Sequence, residues 1–228
     1  MFVPLHDDKA LEQIPRPYVN WALVALSVVV HALVALVALA PSGDVGAASA
    51  ALGIIPSAVQ GPESLQAGQG IVPPAGTLVT YAFLHGGWMH LLGNMLFLWV
   101  FGDNIEDAVG HGRYLLFFVL CAAGAGLFHV VMHPGSGTPL IGASGAVAGV
   151  VGAYLLLHPR VKVWVLVLKR LPMRLTAAWV LGFWVLFQLG SAVVDTGNRI
   201  SWWAHVGGIV VGMVLIVFMR RRGVPLLD

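Results

Sequence analysis

From Val19 to Met219 the sequence repeats one pattern: runs of about 20 residues with little charge, broken by stretches in which the Lys and Arg of this region gather. At 1.5 Å per residue, about twenty helical residues cross about 30 Å of hydrocarbon. Inside lipid each backbone N–H and C=O has to be satisfied within its own segment, so runs of this kind fold as helices. Only 10% of the 228 residues are charged and 58% are hydrophobic, whereas an ordinary soluble domain is roughly 25% charged. The runs leave no room for a separate soluble domain. Cys121 is the only cysteine and lies in an apolar run, which excludes a disulfide framework and a thiolate metal cluster. A net charge of +2 suggests no nucleic-acid groove.

Hydropathy and helix breakers place six spans at roughly 19–40, 87–107, 113–133, 140–158, 175–194 and 201–219. The expected fold class is all-α, a polytopic six-transmembrane-helix bundle. Residues 1–18 form a cytoplasmic segment, 19–219 the membrane domain with an external loop at 41–78, and 220–228 a cytoplasmic tail. The basic residues test the count, because short cytoplasmic loops hold the excess of Lys and Arg. With the N-terminus inside, Lys9, Arg16, Arg113, Arg160, Lys162, Lys169, Arg170, Arg174, Arg220, Arg221 and Arg222 are all cytoplasmic, and only Arg199 is external. One span more or fewer scatters them to both sides. Ala38-Leu39-Ala40 before Pro41 imitates a signal-peptidase site, but the apolar run before it exceeds the usual signal core of about 7 to 15 residues. The first span is therefore retained. This topology, without a targeting presequence, suits a bacterial plasma membrane. The stretch PRVKVWVLVLKRLPMR, bracketed by Pro159 and Pro172, is too short to cross and reads as a basic interfacial segment on the cytoplasmic side. Within the external loop, VGAASAALGIIPSAVQ reads either as a segment dipping into the interface or as a loose linker.

Polar side chains inside a bilayer are costly and face the bundle interior, so they form the short list of candidates. Ser144, His205 and His90 each fall about one turn inside the external end of a span, and Asn94 follows His90 by four residues on the same helical face. Span four carries Gly145 and Gly149, with Ser144, Ala148 and Gly152 as a second small stripe; span six carries Gly208 and Gly212. Small stripes let two backbones approach closely, which a hydroxyl on one helix needs in order to meet an imidazole on another at about 2.6 to 3.2 Å. Taken singly, a small-residue stripe is packing and a buried histidine is a satisfied core residue; together, at one depth, they point to acyl-transfer chemistry. His205 takes the Ser144 proton, while His90, Asn94 and the backbone at a helix N-terminus donate to the oxyanion. Gly142 lets the preceding loop turn tightly. No carboxylate lies at this depth: Asp103, Glu106 and Asp107 sit at the cytoplasmic end of span two, and Asp44, Glu63 and Asp195 in external loops. That leaves a Ser-His dyad, with no metal or cofactor expected. Glu106 and Asp107 read as caps or ion-pair partners.

The stretches HGGWMHLLGNMLFLWVFGDNIED, GASGAVAGVVGAY and AHVGGIVVG together resemble the rhomboid intramembrane serine proteases across all six spans. The resemblance implies Ser144 as nucleophile, His205 as base, His90 and Asn94 as oxyanion donors aided by the Ser144 amide, and His85 in a supporting role. It implies single-span membrane proteins as substrates, cleaved near their external end, with access beside span five. Two features depart from the family pattern. The first external loop lacks a Trp-Arg motif, and Ala148 stands where some members place a tyrosine that stacks on the base. Two other readings remain: a non-catalytic rhomboid-like binder of membrane helices, and a metal- or haem-binding membrane protein using His129 and His133, otherwise two interfacial histidines.

Overall fold

The computed structural model describes residues 2–38, 45–60, 72–167, 170–194 and 201–228. Leu39, Ala40, Pro41, Asp44, Glu63, Lys169, Asp195 and Arg199 lie outside the described residues. The helices are α1 (Tyr18–Ala38), α2 (Val45–Leu52), α3 (Pro56–Gln60), α4 (Pro74–Thr80), α5 (Trp88–Val109), α6 (His111–Met132), α7 (Ser144–Leu157), α8 (Ala177–Val194) and α9 (Trp202–Met219). The chain is a polytopic helical bundle, with α1, α5, α6, α7, α8 and α9 standing where the sequence places six spans. Residues 18–37 of α1, and α6, α8 and α9, are long and apolar enough to cross a bilayer. The second span position, α5, has 22 residues, but His90, Asn94, Asp103 and Asn104 dilute its apolar character.

The remaining helix, α7, is the axis of the bundle. Gly145 to Tyr154 and Leu157 are all buried, and α9, α6 and α5 pack around it. With only 14 residues, it is about 21 Å long and falls roughly a third short of the hydrocarbon thickness. Its N-terminus is Ser144. This corrects the sequence boundary of 140, since Ser144 is the first helical residue rather than a full turn inside. Glycines explain how tightly α9 packs there: a methyl group added at Gly212 would come within 2.6 Å of the Gly149 Cα, and one at Gly208 within 2.9 Å of the Gly145 carbonyl carbon. The side-chain-free faces bring backbone against backbone.

At the opposite end the structure departs from an all-helical expectation. Residues read as an interfacial segment form a hairpin, β2 (Lys162–Val167) and β3 (Leu171–Thr176), and β1 (Phe2–Asp7) adds to it in the antiparallel order β1-β2-β3. The signal is strict alternation in Lys162-Val163-Trp164-Val165, exposed and buried by turns, in a run rich in β-branched valine. Asp7 on β1 receives hydrogen bonds from the Tyr154 hydroxyl at 2.6 Å and the Asn104 amide at 2.9 Å. Burial raises its pKa above the ordinary aspartate value, against the opposing hydrogen bond from Tyr154. The two acids at the end of α5 act as caps: Asp107 accepts from the backbone amides of Glu12, Gln13 and Ile14 at 2.7 to 3.0 Å, and Glu106 from those of Val19 and Asn20 at the start of α1 and from His111.

At the site end, the first loop is ordered over α2, α3 and α4 and is pinned to the loop before α7. Ile54, fully buried, exchanges backbone hydrogen bonds with Leu140 at 3.0 and 2.7 Å, and Ser57 N–H donates to Ser136 O at 3.0 Å. This anchoring makes no use of a Trp-Arg pair.

Candidate active site

Residue 142 prepares the nucleophile position. Gly142 adopts φ +123°, a conformation that side-chain-bearing residues rarely take, and a Cβ there would come within 2.7 Å of His90 Cε1. Its amide donates to the Tyr81 carbonyl at 2.9 Å. The chain then turns directly into α7, leaving Ser144 at a helix start with unpaired amides and the positive dipole end around it.

Ser144 Oγ lies 2.8 Å from His205 Nε2 across the α7–α9 contact. His205 is on the first turn of α9, and the ring of Trp202, one turn before it, meets it edge-on at 5.9 Å between centroids. That contact orients the imidazole in place of a stacked tyrosine. The Ala148 Cβ lies 3.4 Å from the position a Cβ would take at Gly208, so position 148 faces α9. His205 Nδ1 is buried with no hydrogen-bond partner, and no carboxylate reaches it among the described residues.

His90, the third residue of α5, points its ring at Gly142. The Gly86 amide approaches His90 Nδ1 at 3.4 Å. An acceptor at Nδ1 leaves the proton of the neutral ring on Nε2, the atom that faces Gly142. His85 packs edge-on against His90, with ring centroids 5.3 Å apart, and His31 from α1 packs against both His85 and Trp88. Asn94 is buried one turn below His90, and its amide nitrogen has no partner. A buried donor left unpaired is uncommon in a native fold and calls for a ligand or a function.

Ser144, His205 and His90 open onto one cavity of about 520 Å³. Asn94 and His85 stand behind that wall rather than in it. Gly145, Gly208 and Gly212 belong to the helix crossing that allows the contact. Two residues read as interfacial, His129 and His133, line the same cavity. Their i, i+4 spacing was visible; the inward orientation of α6's last turn was not. His31, to which the sequence assigns no chemistry, buttresses the His85–His90 pair.

Residues 75–222 match the family model for the Rhomboid domain. The chain is 28% identical over 161 residues to RHOMBOID-like protein 12, mitochondrial, of Arabidopsis thaliana, covering 64% of this chain and 46% of that protein. To Rhomboid protein 1, mitochondrial, of Saccharomyces cerevisiae it is 29% identical over 148 residues, or 60% of this chain and 40% of the relative. To the Rhomboid protease GlpG of Klebsiella pneumoniae it is 28% identical over 136 residues, or 60% and 45%. The chain thus spans less than half the length of each of these relatives. With the matched domain running from α4 through α9 and covering most of the bundle, the chain belongs to the rhomboid family.

Proposed function

We propose that the chain is an intramembrane serine endopeptidase that hydrolyses peptide bonds in or near the membrane segments of single-span proteins. The observation that carries this reading is the 2.8 Å contact between Ser144 Oγ and His205 Nε2, within the range for an activated nucleophile. As Oγ attacks the scissile carbonyl carbon, its proton moves to His205 Nε2 and an Oγ–C bond forms. The negative charge gathers on the former carbonyl oxygen, where the His90 Nε2–H, the Asn94 amide and the backbone at the start of α7 supply donors. Collapse breaks the C–N bond, and His205 returns the proton to the leaving amine. A water deprotonated by the same imidazole then releases the acyl group and restores Ser144. Every step uses groups of this chain and water.

Among the described residues the dyad has no acid behind the base, so the Nδ1–H of the reactive tautomer finds no acceptor there to favour it. Trp202 packing holds the ring angle instead. A substrate helix has its scissile bond wrapped in its own hydrogen bonds, so it unwinds before attack, and small or helix-breaking residues lower that cost. Water comes from the side where the cavity opens. The Lys and Arg distribution supports N- and C-termini on the cytoplasmic side and a cavity open to the exterior. The lipid bilayer is the working medium, and nucleic acid has no place in this reading.

The test is reconstitution of the full chain in vesicles with a panel of single-span substrates. Wild type cleaves; Ser144→Ala and His205→Ala do not; Asn94→Ala keeps partial turnover because His90 and the backbone still donate. Fluorophosphonate labelling that persists in Ser144→Ala overturns the assignment of the nucleophile. Binding of a membrane helix with neither labelling nor cleavage favours the non-catalytic reading.

A further inference from the structure

The end of α6 places two imidazoles in the wall of the cavity that holds Ser144. The rings of His129 and His133 lie 4.3 Å apart between centroids, and both line the cavity that holds Ser144. His133 Nδ1 sits 3.1 Å from the His129 carbonyl oxygen. A carbonyl has no proton to give, so Nδ1 carries the proton and Nε2 of the neutral ring is a bare acceptor. His129 is 7% exposed and its Nδ1 is buried without a partner, which leaves Nε2 as the nitrogen able to meet a ligand. Among the described residues no group of three His, Cys, Asp or Glu is arranged to hold a metal ion, so the pair faces the cavity as two hydrogen-bonding groups.

We propose that this wall is a side-chain subsite that selects a hydroxyl or carboxamide group on the residue beside the scissile bond. The inference rests on the protease reading and adds a substrate class to it. Ser, Thr, Asn and Gln each carry both a donor and an acceptor. The donor meets His133 Nε2, and the acceptor meets His129 when that ring carries its proton on Nε2; in the other tautomer the second N–H of a carboxamide takes that place. A carboxylate has only acceptors to set against the lone pair of His133. An aliphatic chain strips water from both nitrogens and pairs neither, and unpaired buried polar groups in a built site reject the wrong ligand more strongly than a missing methylene does.

The test uses the full chain in vesicles with single-span substrates identical except for Asn, Ser, Leu or Asp at the residue whose carbonyl is attacked. kcat/KM is measured for wild type, His129→Phe, His133→Phe and His133→Gln. Wild type prefers Asn and Ser over Leu by about tenfold, on the order of one hydrogen bond. The preference falls to near parity in His133→Phe, and is kept in His133→Gln, which still offers donor and acceptor. The Asn-to-Leu ratio is internal to each variant, so a general loss of folding or turnover lowers both rates and leaves the ratio alone. Equal cleavage of Leu and Asn by wild type overturns the proposal, as does a ratio that survives both phenylalanine variants. Cleavage without the preference overturns the subsite alone; no cleavage of any substrate and no labelling of Ser144 overturn the protease reading with it.

Discussion

Gly208 is where the packing of the bundle and the chemistry of the site meet, and replacing it with alanine separates the two. The added methyl would sit 2.9 Å from the Gly145 carbonyl carbon and nearer still to its oxygen, whereas ordinary contacts begin at 3.4 Å. Both obstructing atoms are backbone, so no side chain can swing aside; α9 has to retreat by about 1 Å, a misplacement that costs about 10²-fold in a well-positioned active site. His205 lies three residues from the wedge on the same helix, and its 2.8 Å bond to Ser144 stretches towards about 3.8 Å if α9 moves as a unit, past hydrogen-bond range. Overpacking adds about 1 to 3 kcal/mol of destabilisation. Gly208→Ala is therefore expected to lose at least about 10²-fold in kcat/KM against a single-span substrate, with a lowered melting temperature in detergent. Gly152→Ala, whose nearest obstructions begin at 2.9 Å, falls between it and the control Gly182→Ala, which meets nothing within 4 Å. Thermal melts identify the folded fraction at the assay temperature, and kinetics are normalised to it. Wild-type turnover in folded Gly208→Ala refutes the argument that this close crossing sets the Ser144–His205 distance.

Three further outcomes follow from the packing at the two ends. Ile54→Ala empties a fully buried position beside the loop before α7, and is expected to cost about 2 to 5 kcal/mol in equilibrium unfolding; a change within ±0.5 kcal/mol, the range of an ordinary surface substitution, refutes the packing of that side chain. Asp107→Ala strands the amides of Glu12, Gln13 and Ile14 and costs about 1.5 to 3 kcal/mol, read out as faster proteolysis within residues 8–17; unchanged protection refutes the cap. Asp7 has a raised folded pKa, so wild type loses stability as pH rises from about 3.9, the unfolded value, through the raised value, because ionisation is disfavoured in the fold. Asp7→Asn keeps an acceptor for Tyr154 and Asn104 while removing that charge, so its melting temperature is expected to be flatter over the same window; an identical slope refutes the assignment.

Ser144, His205, His90 and Asn94 were legible as candidates because each is a polar side chain in a run that holds few others, whereas the sequence set Ser144 a turn too deep, since it is the first residue of α7. What stayed hidden depends on orientation rather than on type. His129 and His133 have the same spacing whether α6 turns them to lipid or to the cavity, and nothing in a run that is apolar all round reveals which. The Ile54–Leu140 bridge is made by backbone groups, which carry no side-chain signature. The β-sheet was legible in principle: Lys162 to Val167 alternates with period two, but reading the segment by its charge and by the prolines at its ends passes over the alternation.

A deeper limit concerns α5. Hydropathy finds spans by the absence of polar groups, and a hydrolytic site in a bilayer needs polar groups at depth. His90 and Asn94, with Asp103 and Asn104 at the other end of the helix, are what keep α5 from reading as a plain apolar span. Ser144 meets this conflict differently: it is the first residue of a 14-residue helix, at a start with free amides, rather than inside an apolar run. The proposed site thus takes its hydroxyl from a helix buried along almost its whole length and its charge-stabilising side chains from the one of the six whose sequence looks least like a membrane span.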